Sequence, residues 1–258
     1  MRSDVDSGDA ELPDTFKIDL GSRTSSSGSD MQGKLIVFEG VEGSGKSTQL
    51  AQLRQWLQSH PIFQKLQQAG MVPDIVVTRE PGGTRLGQSL RSLLLDSQSE
   101  TALGARAELL LYAADRAQHM EEVIRPALQA GSWVLCDRFI DSTVAYQGYG
   151  RGLSLSLIEQ LNAIATEGIA GHLTFWLQLD AAAGLGRSRS RGQLDRIEQT
   201  SLEFHQQVQQ GFETLAEQHP NRIVSIDAGQ SAAAVAQQIQ LVMEQRLKTW
   251  YGKRLLTY

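Results

Sequence analysis

A glycine-rich segment near residue 40 carries the clearest chemistry in this sequence. Residues 40–47 read GVEGSGKS, which matches the G-x-x-x-x-G-K-[ST] pattern of phosphate-binding loops. Glycines have no Cβ, so several backbone N–H groups can approach phosphate oxygens at once. Lys46 would add positive charge at the β- and γ-phosphates, and the Ser47 hydroxyl would be a ligand for Mg²⁺. The predicted nucleotide-binding residues are Gly40, Val41, Glu42, Gly43, Ser44, Gly45, Lys46, Ser47 and Thr48.

Glu42 is unexpected in such a loop, because a carboxylate repels bound phosphate. One interpretation is an outward-facing, solvated side chain. The other is that Glu42 points to a second substrate and accepts a hydrogen bond, for instance from a sugar hydroxyl. The spacing of the residues alone favours neither interpretation.

The residues around the loop predict the elements that position it. The apolar run at 35–38 is typical of a strand buried on both faces, and leucines at helical spacing follow it at 50, 53 and 57. Further apolar runs predict strands at 75–77, 133–136, 173–179 and 222–226. This alternation of strands and helices predicts an α/β protein with the P-loop NTPase fold, a five-stranded parallel sheet flanked by helices.

Charged residues follow the second and third predicted strands, at the edge where parallel sheets bind ligands. Arg79 begins a tight turn that contains Pro81 and two glycines, and its guanidinium could hold a phosphate. The alternative is a solvated arginine on a surface loop. Asp137 and Arg138 end the third strand, where the acid could bind Mg²⁺ through water or act as a general base and the arginine could reach phosphate.

Two further groups could contact a nucleobase or a sugar. Tyr112 and Arg116 lie four residues apart on a long predicted helix, 105–129, so an aromatic ring shares a helix face with a hydrogen-bond donor. From these residues alone, a packed tyrosine beside a surface arginine is the simpler interpretation. The polar, glycine-containing segment at 141–152 could read the edge of a base or a ribose.

Four arginines lie within residues 187–196 of a chain whose net charge is −5. They predict either a solvated basic face or a lid, at about 187–197, that closes over nucleotide phosphates and stabilises charge in the transition state. Gly192 would be the hinge of this lid, because a glycine absorbs backbone rotation readily.

The composition limits the class of protein. The net charge of −5 argues against a protein that coats nucleic acid, and no apolar run is long enough to span a membrane. The N-terminus lacks the pattern of a signal peptide and Cys136 is the only cysteine, so we expect a cytoplasmic protein without disulfides. Residues 1–30, rich in Ser, Gly and Asp, predict a disordered extension, and residues 31–258 a single domain.

In combination, these motifs resemble one family, bacterial thymidylate kinase, over about residues 33–247. The similar segments are FEGVEGSGKST at the phosphate loop, TREPGGT after the second strand, YAADR on the long helix, DRF and STVAYQG after the third strand, and RSRSRGQLDRIE at the lid. The resemblance implies a fold of the nucleoside-monophosphate-kinase type. It also implies Mg²⁺-assisted transfer of the γ-phosphoryl group of ATP to dTMP, giving dTDP for dTTP synthesis.

The resemblance also implies roles for particular residues. Tyr112 would stack on thymine and Arg116 would donate to its carbonyl oxygen, while Tyr146 would distinguish deoxyribose from ribose. Asp137 would position Mg²⁺ or its waters together with Ser47. The implied substrate residues are Arg79 and Arg138 at the phosphate, Glu42 and Tyr146 at the sugar, and Tyr112, Arg116, Thr143 and Gln147 at the base, together with Pro81. The implied catalytic residues are Lys46, Asp137, Arg138 and Arg191.

Arg191 is chosen because of the phosphate loop. Family members with an arginine inside that loop use it in catalysis, whereas this loop has Gly43 and Ser44, so the lid is expected to supply the charge. The resemblance further implies a homodimer with the helix at 105–129 near the contact. Two alternatives stay open, a kinase for another nucleotide or a deoxynucleoside, and a nucleotide switch. The D-x-x-G and N-K-x-D motifs of GTPase switches do not follow the third and fourth strands.

Overall fold

The computed structural model describes residues 33–97, 103–190 and 192–255. The predicted extension at 1–30 and the candidate catalytic residue Arg191 lie outside the described residues. Within them, parallel strands form the five-stranded sheet that the sequence predicts, and the structure gives its strand order as β2-β3-β1-β4-β5. The strands are β1 (Leu35–Glu39), β2 (Ile75–Arg79), β3 (Trp133–Asp137), β4 (Leu173–Gln178) and β5 (Ile223–Asp227).

The sheet register brings the candidate site residues to one edge. β1 is buried along its whole length, which explains its unbroken apolar sequence. Phe38 of β1 pairs with Asp137 of β3, and Asp137 pairs in turn with Arg79 of β2. The carboxyl ends of these three strands therefore lie side by side, so the segments that follow them surround a common space.

Helices cover both faces of the sheet, and the predicted helices are confirmed. The stretch at 105–129, predicted as a long helix, is one helical segment with a π-helical turn at Met120–Ile124. The helices are α1 (Lys46–Ser59), α2 (Pro61–Gln68), α3 (Arg85–Leu95), α4 (Ala105–His119), α5 (Arg125–Gln129), α6 (Ile140–Thr143), α7 (Leu155–Thr166), α8 (Ala181–Arg189), α9 (Leu202–Gln218) and α10 (Ala232–Leu255). A π-helical segment, Val144–Gly150, follows α6.

The apolar core lies on the two faces of the sheet because successive strand residues point to opposite sides. Ile36 and Phe38 pack on the side of α1, α9 and α10, whereas Leu35 and Val37 pack on the side of the helical segment at 120–128. Helix α10 continues to Leu255, into a C-terminal tail whose residue pattern predicts no element. Tyr251 is buried there, and its hydroxyl accepts a hydrogen bond from Trp133 Nε1 at 3.1 Å. None of the helices described is long and apolar enough to cross a membrane.

Candidate active site

The phosphate loop joins β1 to α1 through glycines that the backbone requires. Gly43 and Gly45 have φ of 74° and 91°, values that residues with a Cβ rarely adopt. Gly43 also lies against the start of α8, where an added Cβ would be 2.3 Å from the Gly184 carbonyl oxygen. Helix α1 begins at Lys46, so its N-terminal N–H groups and helix dipole face the loop. This geometry suits a bound polyphosphate.

Lys46 is buried within the loop that it belongs to. Its Nζ donates to the carbonyl oxygens of Gly40 at 3.0 Å and Val41 at 3.1 Å. Burial, followed by the charge of Arg138, lowers the pKa of Lys46 to about 8, although Asp137, Glu42 and Glu39 act in the opposite direction. An anion in the loop would stabilise the charged ammonium further.

Ser47 and Asp137 form the pair that fits Mg²⁺. The Ser47 hydroxyl donates to Asp137 Oδ2 at 3.2 Å, so one alcohol oxygen and one carboxylate oxygen lie together beside the phosphate loop. No group of three His, Cys, Asp or Glu side chains suited to a metal occurs in the described part of the chain. Mg²⁺ commonly needs only one or two such protein oxygens, because waters and substrate phosphates complete its octahedron. The residues present therefore fit this ion.

Glu42 belongs to a cluster with two residues that follow β3. Arg138 Nη2 donates to Glu42 Oε1 at 2.8 Å, and the Tyr146 hydroxyl donates to the same carboxylate, 2.8 Å from both oxygens. Burial raises the pKa of Glu42, but the charges of Arg138 and Lys46 and the Tyr146 hydroxyl outweigh it and lower the pKa below its usual value. Glu42 thus faces a half-buried guanidinium group, and the solvated, outward orientation is wrong.

The backbone of Arg138 adopts a conformation that is rare outside glycine. Its φ is 69°, and such a conformation persists only where the surroundings hold it. Glu39, fully buried at the end of β1, supplies that support by accepting from the backbone N–H groups of Phe139 at 2.8 Å and Ser142 at 3.1 Å. Burial, with the nearby charge of Asp141, raises the pKa of Glu39 to about 7. The segment after β3 is thereby fixed so that the Arg138 side chain turns towards the loop.

Two arginines lie at the turn that follows β2. Arg79 ends the strand and is exposed, as the alternative of a solvated arginine expects, but it also lines the same cavity as the phosphate loop. Arg91, on α3, lines the cavity as well, and its Nη1 donates to the Pro81 carbonyl oxygen at 3.0 Å. Burial, followed by the charge of Arg79, lowers the pKa of Arg91. A second anion between the two guanidinium groups would relieve this repulsion.

Arg116 is buried, so the interpretation of a surface arginine is wrong. Its side chain is only 2% exposed, and Nε donates to Glu80 Oε2 at 2.9 Å. Nη1 donates to Asn162 Oδ1 at 2.8 Å, and Nη2 donates to the Phe139 carbonyl oxygen at 3.1 Å. Arg116 therefore joins α4 to the turn after β2, to the segment after β3 and to α7, and it also borders the cavity.

One cavity, of about 300 Å³, brings the predicted substrate residues together with the phosphate loop. Half-buried Tyr112 lines it from α4, and Thr143 and Gln147 line it from the segment after β3. The predicted residues that border this cavity are Glu42, Gly43, Gly45, Lys46, Ser47, Thr48, Arg79, Pro81, Tyr112, Arg116, Asp137, Arg138, Thr143, Tyr146 and Gln147. The segments that follow β1, β2 and β3 thus line one cavity together with helix α4.

The chain is similar to known proteins along most of its length. The family model for thymidylate kinase matches residues 38–239. A thymidylate kinase of Cyanothece sp. is 58% identical over 228 residues, 86% of this chain and 97% of that protein. One of Trichodesmium erythraeum is 54% identical over 226 residues, 85% of this chain and 99% of that protein. The crystal structure of thymidylate kinase from Ehrlichia chaffeensis matches with a TM-score of 0.64 and 33% identity, covering 82% of this chain and 98% of that one.

This chain belongs to the thymidylate kinase family. The match confirms the resemblance that the motifs indicate, and it includes every segment that lines the cavity. The P-loop fold of the nucleoside-monophosphate-kinase type is likewise confirmed by the parallel sheet and by the structural neighbour.

The lid arginines of this thymidylate kinase family member differ in their surroundings. Arg187 Nη1 donates to the Ala228 carbonyl oxygen at 3.1 Å, away from the cavity. Arg196 Nη2 donates to buried Glu108 at 2.6 Å, and Arg196 Nε donates to the Leu94 carbonyl oxygen at 2.7 Å. Gly192, the predicted hinge, has φ of 139°. Arg196 is therefore an anchor at one end of the predicted lid.

Several polar residues of the site, most of them buried, could not be predicted from the sequence. Arg91, Glu39 and Glu108 contribute directly to the cavity wall or to its support, and Glu80 and Asp115 hold the turn after β2. One signal was available for Glu108, because it lies four residues before Tyr112 and eight before Arg116, on the same helix face. The other four residues lie at the ends of strands or inside helices, and their positions in the sequence do not distinguish them from charged residues that face solvent.

Proposed function

We propose that this protein transfers the γ-phosphoryl group of ATP to dTMP, giving dTDP. The observation that carries the proposal is the single cavity in which a complete phosphate loop faces an aromatic and amide-lined pocket across a cluster of arginines. A nucleotide switch needs only the first of these features. The pocket provides a place for an acceptor nucleotide, and membership of the thymidylate kinase family supports dTMP as that acceptor.

The phosphate loop would bind ATP through its backbone N–H groups and the N-terminus of α1. Lys46 would exchange its bonds to the Gly40 and Val41 carbonyl oxygens for the β- and γ-phosphates. Ser47 and Asp137 would hold Mg²⁺, which when bound neutralises phosphate charge during transfer. These groups stabilise charge that develops in the transition state, which is the main contribution that phosphoryl transfer requires of a protein.

The arginine cluster would align the acceptor phosphate. Arg79 and Arg138 border the cavity at the adjacent ends of β2 and β3, and Arg91 adds a third cation from α3. A phosphate monoester has its second pKa near ~6, so the acceptor is largely ionised at neutral pH and no side chain has to remove a proton. The contribution of these residues is orientation for in-line attack.

The sugar and base would occupy the other end of the cavity. Glu42 and Tyr146 already share a hydrogen bond, so a deoxyribose hydroxyl could join this pair, and the Tyr146 ring would crowd a ribose 2′-hydroxyl. Tyr112 would stack on thymine, with Arg116, Thr143 and Gln147 around its polar edge, and Pro81 lines the same cavity. For Arg116, a bond to the base would use the guanidinium N–H groups that remain beside its bonds to Glu80, Asn162 and Phe139.

We propose a lid at about 187–197 that completes the catalytic site with Arg191. Its neighbours support this role, because Asp195, Ile197 and Glu198 line the cavity immediately after the segment that contains Arg191. Gly192 provides the backbone freedom for closure. The domain that we propose spans residues 31–258.

We also propose a homodimer, with α4 near its contact. Helices α3, α4 and α7 pack beside one another, and each exposes large apolar side chains, including Leu93 at 64%, Leu110 at 56% and Ile164 at 74%. Apolar surface of this kind is often covered in an assembly. Light scattering coupled to gel filtration should give twice the chain mass for the wild type and the single mass for Leu110→Glu. A monomeric wild type would contradict the proposal.

The cytoplasm is the compartment that we propose. Cys136 is the only cysteine in the sequence, and its thiol is buried in β3 and forms no disulfide. Reduced thiols of this kind suit a reducing compartment. Cell fractionation with an antibody to the chain would test this location.

The experiment that tests the activity is ADP formation from ATP and Mg²⁺ with dTMP, dUMP, dCMP, dAMP, dGMP and thymidine as separate acceptors. We expect rapid turnover with dTMP, slower turnover with dUMP and none with thymidine, which lacks the phosphate that the arginine cluster binds. Preference for another monophosphate would contradict the base site. ADP formation that ignores every acceptor would contradict the kinase assignment itself.

A further inference from the structure

Glu108 is the most completely bonded buried carboxylate near the base end of the cavity. It lies in the first turn of α4, and its side chain is fully buried. Gln147 Nε2 donates to Oε1 at 2.8 Å, Arg151 donates to both oxygens at 3.3 and 3.2 Å, and Arg196 Nη2 donates to Oε2 at 2.6 Å. One carboxylate therefore joins α4 to the π-helical segment and to Arg196. We call the end of the predicted lid that contains Arg196 the lid connection.

These bonds decide which end of the Gln147 amide meets Glu108. An ionised carboxylate only accepts hydrogen bonds, so the NH₂ group of the amide must face it. Burial raises the pKa of Glu108, but the bonds from Gln147, Arg151 and Arg196 outweigh it, and the pKa is lower than usual. The carboxylate is consequently ionised at neutral pH, which keeps the amide in this orientation.

The opposite end of the amide is its carbonyl oxygen. Gln147 borders the cavity beside Thr143, and within the described residues its Oε1 accepts no hydrogen bond. An acceptor in this place pairs with a base that offers an N–H group, as thymine and uracil do at N3. Cytosine has a lone pair at N3, so two acceptors would face each other.

We propose that Glu108 is a positioning residue that sets base specificity, by holding the Gln147 amide with its carbonyl oxygen towards the base. The inference rests on the proposed function, in which the base of the acceptor nucleotide occupies this end of the cavity. Glu108 also anchors Arg196, so the lid connection and the base-reading amide share one support.

The variant Glu108→Gln tests the inference, because it keeps the shape of the side chain and adds an N–H donor. That donor can pair with the Gln147 carbonyl oxygen, which frees the amide to present its NH₂ group to the base. We expect the ratio of kcat/KM for dTMP to kcat/KM for dCMP to fall by about tenfold or more. The matched control is Glu121→Gln, which makes the same change at a carboxylate that is 61% exposed just after α4. It should keep the ratio of the wild type.

A double-mutant cycle with Gln147→Leu separates positioning from a general structural role. Gln147→Leu removes the amide and should itself lower the dTMP to dCMP ratio. In that background Glu108→Gln should lower the ratio no further, because Glu108 acts through Gln147. A purely structural Glu108 would lower thermal stability and leave the ratio unchanged in both backgrounds, and that result would overturn the inference.

Two further outcomes are distinguishable. Should Glu108→Gln not fold, Glu108→Asp keeps the charge but shortens the reach to Gln147, and an unchanged ratio in that variant overturns the inference. A wild-type protein that forms no dTDP from dTMP overturns the proposed function, whereas a wild type that uses dTMP and dCMP equally overturns the inference alone.

Discussion

The two ends of the cavity are built differently. The phosphate end comes mainly from consecutive residues, Gly40 to Thr48, whose backbone N–H groups and single lysine face one direction. The base end comes from side chains on α4, the segment after β3 and the lid connection, held by buried ionic bonds at Glu80 and Glu108. The geometry of the phosphate end follows from the local conformation of one continuous stretch of backbone. The geometry of the base end depends on contacts between residues that lie far apart in the sequence.

The largest expected effect tests whether the phosphate end is complete without the lid. Arg191→Ala should lower kcat by about 10³–10⁵-fold with a modest change in the KM for dTMP, because a lid arginine would act on transition-state charge. Steady-state kinetics with ATP and dTMP measure both constants. The matched control is Arg189→Ala, at the end of α8 and outside the cavity lining. A rise in KM alone would contradict the lid role.

The next effect tests how strongly the base end depends on its buried ion pairs. Arg116→Met leaves Glu80 buried without its guanidinium partner, so we expect the free energy of unfolding to fall by about 3–5 kcal/mol. Urea denaturation followed by circular dichroism measures this value. Arg125→Met removes an arginine whose acidic partners Glu121 and Glu167 are 61% and 65% exposed, and should cost about 0–1 kcal/mol. Equal losses in the two variants would contradict the comparison.

The smallest expected effect concerns Asp115, whose carboxylate lowers the stability of the folded state when it is charged. Burial, with the charge of Glu80, raises the pKa of Asp115 to about 6, so the folded state favours the protonated form. The resulting destabilisation is absent below pH ~3.8, grows as the pH rises to about 6 and persists above it. Asp115→Asn keeps an acceptor for the Gly82 N–H, which Asp115 now binds at 3.0 Å.

Asp115→Asn should therefore match the wild type near pH 4 and be more stable by about 1–3 kcal/mol at pH 8. Urea unfolding at both pH values measures the difference. The control Glu213→Gln, at an exposed site on α9, should behave like the wild type at both. A variant that is less stable than the wild type at pH 8 would indicate that the charged form of Asp115 is needed.

The contrast between the two ends of the cavity also explains which features of the structure could be predicted from the sequence. The order of strands and helices and the phosphate loop follow from apolar runs and glycine spacing, and the structure confirms them. The burial of Arg116 did not follow, because its partners Glu80, Asn162 and Phe139 come from three other segments. The position of Arg91 at the cavity could not be predicted either, since nothing in the sequence of α3 separates an arginine facing the cavity from one facing solvent. Local sequence patterns therefore predict the elements and the phosphate loop, whereas the partners of buried charged side chains are known only from the folded structure.

The measurement that tests the central claim most directly follows the transferred group itself. The full-length chain is incubated with Mg²⁺, dTMP and ATP labelled at the γ-phosphate, and the labelled products are separated by ion-exchange chromatography. We predict that the label appears in dTDP in equal amount to the ADP formed, and that omission of dTMP abolishes both. Label that appears only as inorganic phosphate, at a rate independent of dTMP, would contradict the assignment of this protein as a dTMP kinase.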